Sequence, residues 1–237
     1  MTSHSEHVDH NEDKEMKMVS ITELRAGDVL LCYKDAKFDP AGKSITHVTN
    51  SEYTHAAICI NSCTAAESTV LGGVAKVKVQ DLLKRYDHVA VFRQPDAWRP
   101  SERVQAMNAF IDSIIASRAK YNLRDVVTFN NRNKIHQFSL TEQLHAFFNG
   151  THVSAPTEKG SYFCSELVAS CFVVTGFIEP SAAVIYKSNV TSPGALGRDA
   201  TFGTFYGYVS VTPNYSVPAT DEFFNVSTFS EIFDNDA

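Results

Sequence analysis

Cys164 is the residue of this sequence whose position best suits nucleophilic chemistry. It follows Tyr162-Phe163, and after it apolar residues such as Leu167 and Cys171 recur at the spacing of a helix. Gly176 is well placed to end this predicted helix. Cys164 would then lie in the first helical turn, where unsatisfied N–H groups and partial positive charge favour a thiolate over a thiol. The same N–H groups can stabilise the oxyanion of a tetrahedral intermediate. The pattern predicts a nucleophilic cysteine.

His55 is the best candidate for the base that such a cysteine needs. It lies in a strand-like run, Tyr53 to Ile60, and a second such run, Thr64 to Val70, contains Glu67. A turn at Asn61-Ser62 would fold the second run back on the first and bring Glu67 to within a couple of residues of His55. A carboxylate there could hold the imidazole tautomer and stabilise the imidazolium. We therefore predict a site made of Cys164, His55 and Glu67.

Other histidines compete with His55 for the role of base, but none lies in so regular a strand with a carboxylate at hairpin distance. We interpret Asp28, which follows Gly27, as a turn residue that prepares the next strand. The competing histidines are His47, His88, His136, His145 and His152.

The remaining cysteines favour structural roles as small buried residues. Five cysteines is an odd number and the chain is not a small secreted scaffold, which argues against a full disulfide framework. Cys59 and Cys63 lack a second ligand pair for zinc, and the trio His4, His7 and His10 lies in a polar stretch whose composition indicates a disordered tail. We expect reduced thiols, and chemistry that needs no metal or organic cofactor. The structural cysteines would be Cys32, Cys59, Cys63 and Cys171.

The order of elements indicates a mixed α and β domain. Residues 1–18 read as a disordered polar tail, 19–215 as a single catalytic domain and 216–237 as an acidic C-terminal tail. Ser101 can cap a helix that runs to about Arg118, and 122–160 is less regular, with a helix possible over 141–148. The expected strands are 29–33, 53–60, 64–70, 74–79, 88–92 and a piece within 202–211, with a short helix over 81–86.

Composition and charge exclude several classes of protein. The 237 residues are 43% hydrophobic and 20% charged, which is enough for a sizeable core in one domain. The net charge of −6 and the lack of a basic stripe argue against nucleic-acid binding. The N-terminus has no apolar segment typical of a Sec signal, and no stretch is long and apolar enough to span a bilayer. We expect synthesis in the cytoplasm without a Sec signal.

Four segments of the sequence resemble a known family, the circularly permuted papain-like amidases related to NlpC-type cell-wall endopeptidases. The most specific segment is Tyr162-Phe163-Cys164-Ser165-Glu166-Leu167-Val168; the others gain force from their order. The permuted branch has the order histidine, acidic residue, cysteine, as this sequence does, whereas ordinary NlpC-type enzymes place the cysteine first. The three weaker segments are Gly27-Asp28-Val29-Leu30-Leu31, Tyr53-Thr54-His55-Ala56-Ala57-Ile58 and Thr191-Ser192-Pro193-Gly194-Ala195-Leu196.

The resemblance implies an α+β papain-like fold, with an antiparallel sheet packed against the helix that carries Cys164. It implies a thiol hydrolase with Cys164 as nucleophile, His55 as base and Glu67 as the residue that orients the base. It suggests peptidoglycan peptides as substrate, and together with the missing Sec signal it suggests an effector toxin exported by a dedicated secretion system to a target-cell periplasm. A secretion adaptor or an immunity protein would then be a partner. The 122–160 region departs from the family pattern and could form a cap.

Two alternative functions stay open from the sequence. The same site could cleave or transfer lipid acyl groups, with Phe147-Phe148 and Phe223-Phe224 as candidate lining for an acyl chain, although an aromatic core explains these pairs as well. The fold could also serve as a binding module without catalysis, which the intact Cys164, His55 and Glu67 set argues against. Tyr53 and Tyr162 are candidate oxyanion donors beside the Cys164 backbone.

Overall fold

The structure is a computed structural model that describes residues 16–35, 51–122, 128–151, 159–179, 182 and 188–233. Its central element is a six-stranded antiparallel sheet. The predicted histidines His4, His7, His10, His47 and His152 lie outside the described residues. The strands of the sheet are β1 (Val29–Tyr33), β2 (Tyr53–Cys59), β3 (Thr64–Thr69), β4 (Gly73–Lys78), β5 (His88–Arg93) and β8 (Thr204–Val209), and a separate short parallel pair is β6 (Lys120–Tyr121) with β7 (Ser161–Tyr162). The order of strands across the sheet is β4-β3-β2-β1-β5-β8.

Helices occupy the connections between these strands. The helix α5 begins at Cys164 and packs on β2 and β3, and α3 packs on α5. The predicted α+β class is therefore confirmed at the level of a mixed fold with an antiparallel sheet. The helices are α1 (Val79–Leu83), α2 (Pro95–Trp98), α3 (Ser101–Ala116), α4 (Phe129–Phe148), α5 (Cys164–Val174), α6 (Pro193–Arg198) and α7 (Phe229–Phe233), with 3₁₀ turns at Ile21–Glu23 and Ser188–Val190.

Both faces of the sheet are covered, which explains why the central strands are apolar on both sides. In β1, Val29 and Leu31 belong to the core cluster that contains the inner faces of α3 and α5. Leu30 and Cys32 belong to a second cluster, on which α1 packs. Because successive side chains of a strand point to opposite faces, a strand buried on both faces reads as a continuous apolar run rather than an alternating one.

The N-terminal start of α3 differs from the sequence prediction in one detail. Ser101 is the first residue of the helix rather than its cap; Pro100 occupies the cap position, without a side-chain hydrogen bond. Proline has no N–H to leave unsatisfied and a fixed φ, so it suits the entry of a helix without a capping side chain. The buried face of α3 consists of Met107, Phe110, Ile111 and Ile114.

A buried ion pair fixes the start of β1 to the end of β5. Arg93 Nε lies 2.8 Å from Asp28 Oδ1 and Arg93 Nη2 lies 2.6 Å from Asp28 Oδ2. The Arg25 N–H donates to Asp28 Oδ2 at 2.8 Å, so Asp28 also closes the turn that the sequence predicted. Gly27 has a φ of +86° in this turn, a conformation that glycine adopts without strain.

We expect the substitution Asp28→Ala to destabilise the protein by about 3–5 kcal/mol, because it leaves the Arg93 guanidinium buried without its counter-charge. Urea unfolding followed by circular dichroism measures the change. The exposed pair Lys84–Asp81 provides the matched control, and Asp81→Ala should change stability by less than about 1 kcal/mol. Equal effects of the two substitutions would contradict a structural role for the buried pair.

Part of the segment expected to be an acidic tail packs against the sheet. Asp221 is buried and accepts hydrogen bonds from the hydroxyls of Tyr53 (2.9 Å) and Tyr208 (2.6 Å), and His88 Nε2 lies 3.0 Å from Asp221 Oδ2. Phe223 is buried against the rings of Tyr53, Phe92 and Phe205. This network joins three strands to the C-terminal segment.

Candidate active site

Cys164 begins α5, and several contacts fix that end of the helix. Phe163, the residue before it, is extended at φ −93° and ψ 171°, and its N–H donates to Glu166 Oε2 at 3.2 Å. Glu166 is buried and its other oxygen accepts from Lys159 Nζ at 2.7 Å. The Ser165 hydroxyl donates to the Thr191 carbonyl at 2.7 Å. The start of the helix that carries Cys164 is therefore held by hydrogen bonds to residues before it and after it in the sequence.

The hairpin of β2 and β3 brings Glu67 to His55. His55 Nε2 lies 2.9 Å from Glu67 Oε2, and both side chains are buried. The pairing places Glu67 opposite Ala57, so that Glu67 lies diagonally from His55 on the same face of the sheet. The turn has the predicted position, and the Asn61 side chain accepts from the N–H groups of Cys63 and Thr64 at 2.9 Å each.

The Cys164 thiol lies beside the imidazole of His55, close enough for the two groups to shift each other's pKa. Since Glu67 accepts at Nε2, we assign the contact with the sulfur to Nδ1. The structure thus brings Cys164, His55 and Glu67 together, with the imidazole of His55 between the thiol of Cys164 and the carboxylate of Glu67.

The surroundings stabilise the charged forms of the Cys164, His55 and Glu67 side chains. Burial disfavours the imidazolium, but the hydrogen bonds to Cys164 and Glu67 outweigh burial and raise the pKa of His55 to about 9. Burial likewise disfavours the thiolate, but the hydrogen bond from His55 and those from the backbone N–H groups of Ala56 and Ser165 lower the pKa of Cys164 below its ordinary value. The arrangement favours a thiolate–imidazolium pair, in which the proton of Cys164 has moved to His55.

Two residues that the sequence analysis did not select complete the site. Nη2 of Arg85 contacts both carboxylate oxygens of Glu67, at 2.8 and 2.7 Å, and the Tyr86 ring stacks on the His55 ring at 5.7 Å with 6° between the planes. Burial raises the pKa of Glu67, but His55 and Arg85 outweigh burial and lower it, so Glu67 stays ionised. Both residues lie in the segment directly after α1. Nothing in their local sequence indicates that this segment contacts β2 and β3.

The same geometry indicates which groups could donate hydrogen bonds to the oxyanion of a tetrahedral intermediate. The Ser165 N–H is directed at the sulfur and lies at the start of α5. Tyr53, one of the two tyrosines considered from the sequence, already donates its hydroxyl proton to Asp221. The Tyr162 hydroxyl accepts from the Lys159 N–H at 2.7 Å, a contact that does not exclude it as a donor. Tyr121, which the sequence analysis did not consider, is a further candidate: burial and the negative charge of Cys164 raise the pKa of its hydroxyl, which stays protonated.

The other described candidate bases are His88, which has different partners, and two histidines on α4. His88 Nδ1 lies 3.0 Å from the Tyr215 hydroxyl and its Nε2 contacts Asp221. His136 and His145 are on α4. Of the four cysteines predicted to be small buried residues, Cys32, Cys59 and Cys171 are buried. The prediction is wrong for Cys63, which is exposed beside the turn between β2 and β3.

Comparison of the chain with protein-family models, with curated proteins and with solved structures found no match. In the ranges that the structure describes, no three histidine, cysteine or carboxylate side chains are grouped as a metal ion would require. No helix of the described segments is long and apolar enough to cross a bilayer. The interpretation of the site therefore depends on its own geometry.

Proposed function

We propose that this protein is a cysteine hydrolase that cleaves an amide bond through an acyl-enzyme intermediate, on a permuted papain-like fold. The observation that carries the proposal is that Cys164, at the start of a helix, lies beside His55, whose Nε2 contacts Glu67 at 2.9 Å. A nucleophile, a base that contacts it and a carboxylate that orients the base form the arrangement that covalent catalysis requires. The order of these residues along the chain matches the permuted family that the sequence resembles.

The geometry supports the following sequence of steps. The Cys164 thiolate attacks the carbonyl carbon, and the N–H groups at the start of α5 stabilise the resulting oxyanion. The C–N bond breaks as the imidazolium of His55 gives its proton to the leaving amine. Neutral His55 then takes a proton from a water molecule, which attacks the thioester and releases the acid, and the proton on His55 restores the starting pair. Glu67 holds the ring throughout these steps.

Peptidoglycan peptides are the substrate that we propose, on the strength of the resemblance in the four segments. Delivery as an antibacterial effector, with a secretion adaptor or an immunity protein as partner, follows as a further part of the same proposal. Purified sacculi are the direct test: mass spectrometry of released muropeptides should show a cleaved peptide bond with the wild-type protein and none with Cys164→Ala. Unchanged muropeptides with both proteins would reject this substrate.

Lipid acyl groups are a second candidate substrate, favoured by apolar side chains on the surface of α4. Ile135, Phe138 and Phe148 are 65%, 88% and 79% exposed, respectively. Phe223 is a core residue, so the Phe223-Phe224 pair does not provide an acyl-binding surface in the way that Phe148 can. Incubation with phospholipid vesicles should release fatty acid or lysolipid if this substrate is correct, and an unchanged lipid profile would reject it.

We expect Glu67→Gln to lower kcat/KM by about 10²- to 10⁴-fold, because the imidazolium loses its counter-charge and its fixed orientation. Arg85→Met should lower it only about fivefold, since the Arg85 side chain is 40% exposed and acts through Glu67. Lys84→Met, at the neighbouring exposed position, is the matched control and should leave kcat/KM unchanged. Full activity of Glu67→Gln would remove Glu67 from the mechanism.

A further inference from the structure

A second concave site lies at the end of β1 remote from His55. It is a cavity of about 400 Å³ lined by three arginines, Arg25, Arg93 and Arg99, together with Asp28 and Trp98. Asp28 directly precedes β1, whereas the Cα partner of His55 is Cys32, near the other end of that strand. At about 3.3 Å per residue, four residues of strand separate the two sites by roughly 13 Å. The cavity is therefore a separate site from the one around Cys164.

The charge of this cavity is positive, in a protein whose net charge is −6. Arg93 and Asp28 neutralise each other in the buried ion pair, and the Arg93 guanidinium also lies 3.7 Å from the centre of the Tyr206 ring. Arg25 and Arg99 remain at the exposed rim. Arg99 contacts Asp96 at 3.2 Å, but both side chains are more than two-thirds exposed, so water and salt screen that pair.

Trp98 contributes a buried hydrogen-bond donor that has no acceptor. The residue is 9% exposed, and its Nε1 has no hydrogen-bond partner within the described ranges. A buried N–H without an acceptor carries an unrecovered desolvation cost, and an acceptor on a ligand would remove it. The ring lies against Gly27 so closely that a Cβ there would be 2.2 Å from Trp98 Cδ1. Because Nε1 is itself buried, an acceptor on a ligand in the cavity reaches it through a small turn of the indole ring.

We propose that this cavity binds an oxyanion, a phosphate or a carboxylate, carried on a small apolar body. The rim arginines attract the anion, and the Trp98 N–H offers a donor that the fold leaves unused. The volume falls in the range of about 300–1,000 Å³ that is typical of small-molecule sites, and inorganic phosphate alone would leave most of it empty. Ala26, Pro95 and the indole ring supply the apolar wall. The proposal is independent of the chemistry proposed for Cys164.

Trp98 is the single tryptophan of the chain, so intrinsic fluorescence reports on this cavity directly. The full-length protein at low salt is titrated with two amphiphilic anions, hexyl phosphate and hexanoate. Hexanol and inorganic phosphate, which are the apolar part and the anionic part of hexyl phosphate, are titrated separately as controls. We expect a saturable change with at least one of the two amphiphilic anions and weaker or no binding of the halves. The tighter of the two anions identifies the preferred group as phosphate or carboxylate.

The variants Arg25→Ala and Arg99→Ala should each raise the Kd at least about fivefold, whereas Lys84→Ala should leave it unchanged. Both arginines are exposed, so the variants are expected to fold. Calorimetry of Trp98→Phe, which keeps an aromatic ring but removes the N–H, should also show weaker binding. Absence of a saturable change with either anion, binding of hexanol as tight as that of the anions, or an unchanged Kd in the arginine variants would each overturn the proposal.

Discussion

Cys164→Ala is expected to lower the rate of amide hydrolysis by about 10⁴-fold or more, because covalent enzymes lose nearly all their rate when the nucleophile is removed. Cys164 is 4% exposed and sits on a helix start fixed by Glu166 and Ser165, so the loss of one sulfur should leave the fold intact. The measurement is the initial rate of product release, with far-ultraviolet circular dichroism as the check on folding.

Cys63→Ala is the matched control, since Cys63 is an exposed cysteine beside the turn between β2 and β3 and should be dispensable. Cys164→Ser tests the chemistry more narrowly: it keeps the shape of the side chain but replaces the thiolate by a hydroxyl that ionises far less readily. Retention of more than about a tenth of the wild-type rate by either Cys164 variant would contradict covalent catalysis at this residue.

His55→Gln is expected to have the second largest effect, a fall of about 10²- to 10⁴-fold in kcat/KM together with a rise in the pKa of Cys164. Burial opposes the thiolate, and the hydrogen bond from His55 is the strongest factor that offsets burial. Glutamine can still donate to Glu67, which limits damage to the hairpin. Kinetics and the pH dependence of thiol alkylation provide the two measurements.

The pH measurement separates a catalytic role of His55 from a structural one. A residue that only supports packing could lower activity without moving the pKa of Cys164. His145→Gln, on the exposed side of α4, is the control and should change neither quantity. A His55→Gln variant that loses activity while the alkylation profile of Cys164 stays in place would show that His55 does not ionise the thiol.

Local signals in the sequence predicted most of the elements that position the site. The apolar runs predicted the strands, and Asn61 predicted the turn that folds Glu67 back to His55, because its side chain can satisfy the N–H groups of the turn. The helix that begins at Cys164 follows from apolar spacing and from Gly176, which adopts a φ of +70° after the helix end. The register of the hairpin was predicted only to within a couple of residues, and Glu67 pairs with Ala57 rather than directly with His55.

The contacts that local sequence does not encode are those between distant segments. Arg85 reaches Glu67 across 18 positions and Asp221 reaches Tyr53 across 168, so neither pairing leaves a periodic pattern. The acidic composition of 216–237 indicated a tail, but composition does not reveal that one carboxylate, Asp221, accepts from two buried tyrosines. Likewise, Asp28 reads as a turn residue, and its partner Arg93 lies 65 positions away.

The most direct test of the central claim, that Cys164 is a thiolate paired with His55, is the pH dependence of its alkylation by iodoacetamide, a reagent small enough for a partly enclosed site. Peptide mass spectrometry measures the rate at each cysteine, from about pH 4 to about pH 10, and the exposed Cys63 serves as the reference thiol in the same molecule. An ordinary cysteine ionises near a pKa of about 8.5. The account predicts that Cys164 reaches its half-maximal rate at a clearly lower pH than Cys63, and that His55→Gln removes this difference. A Cys164 that reacts only at the pH of Cys63 or higher, or at no pH, would contradict it.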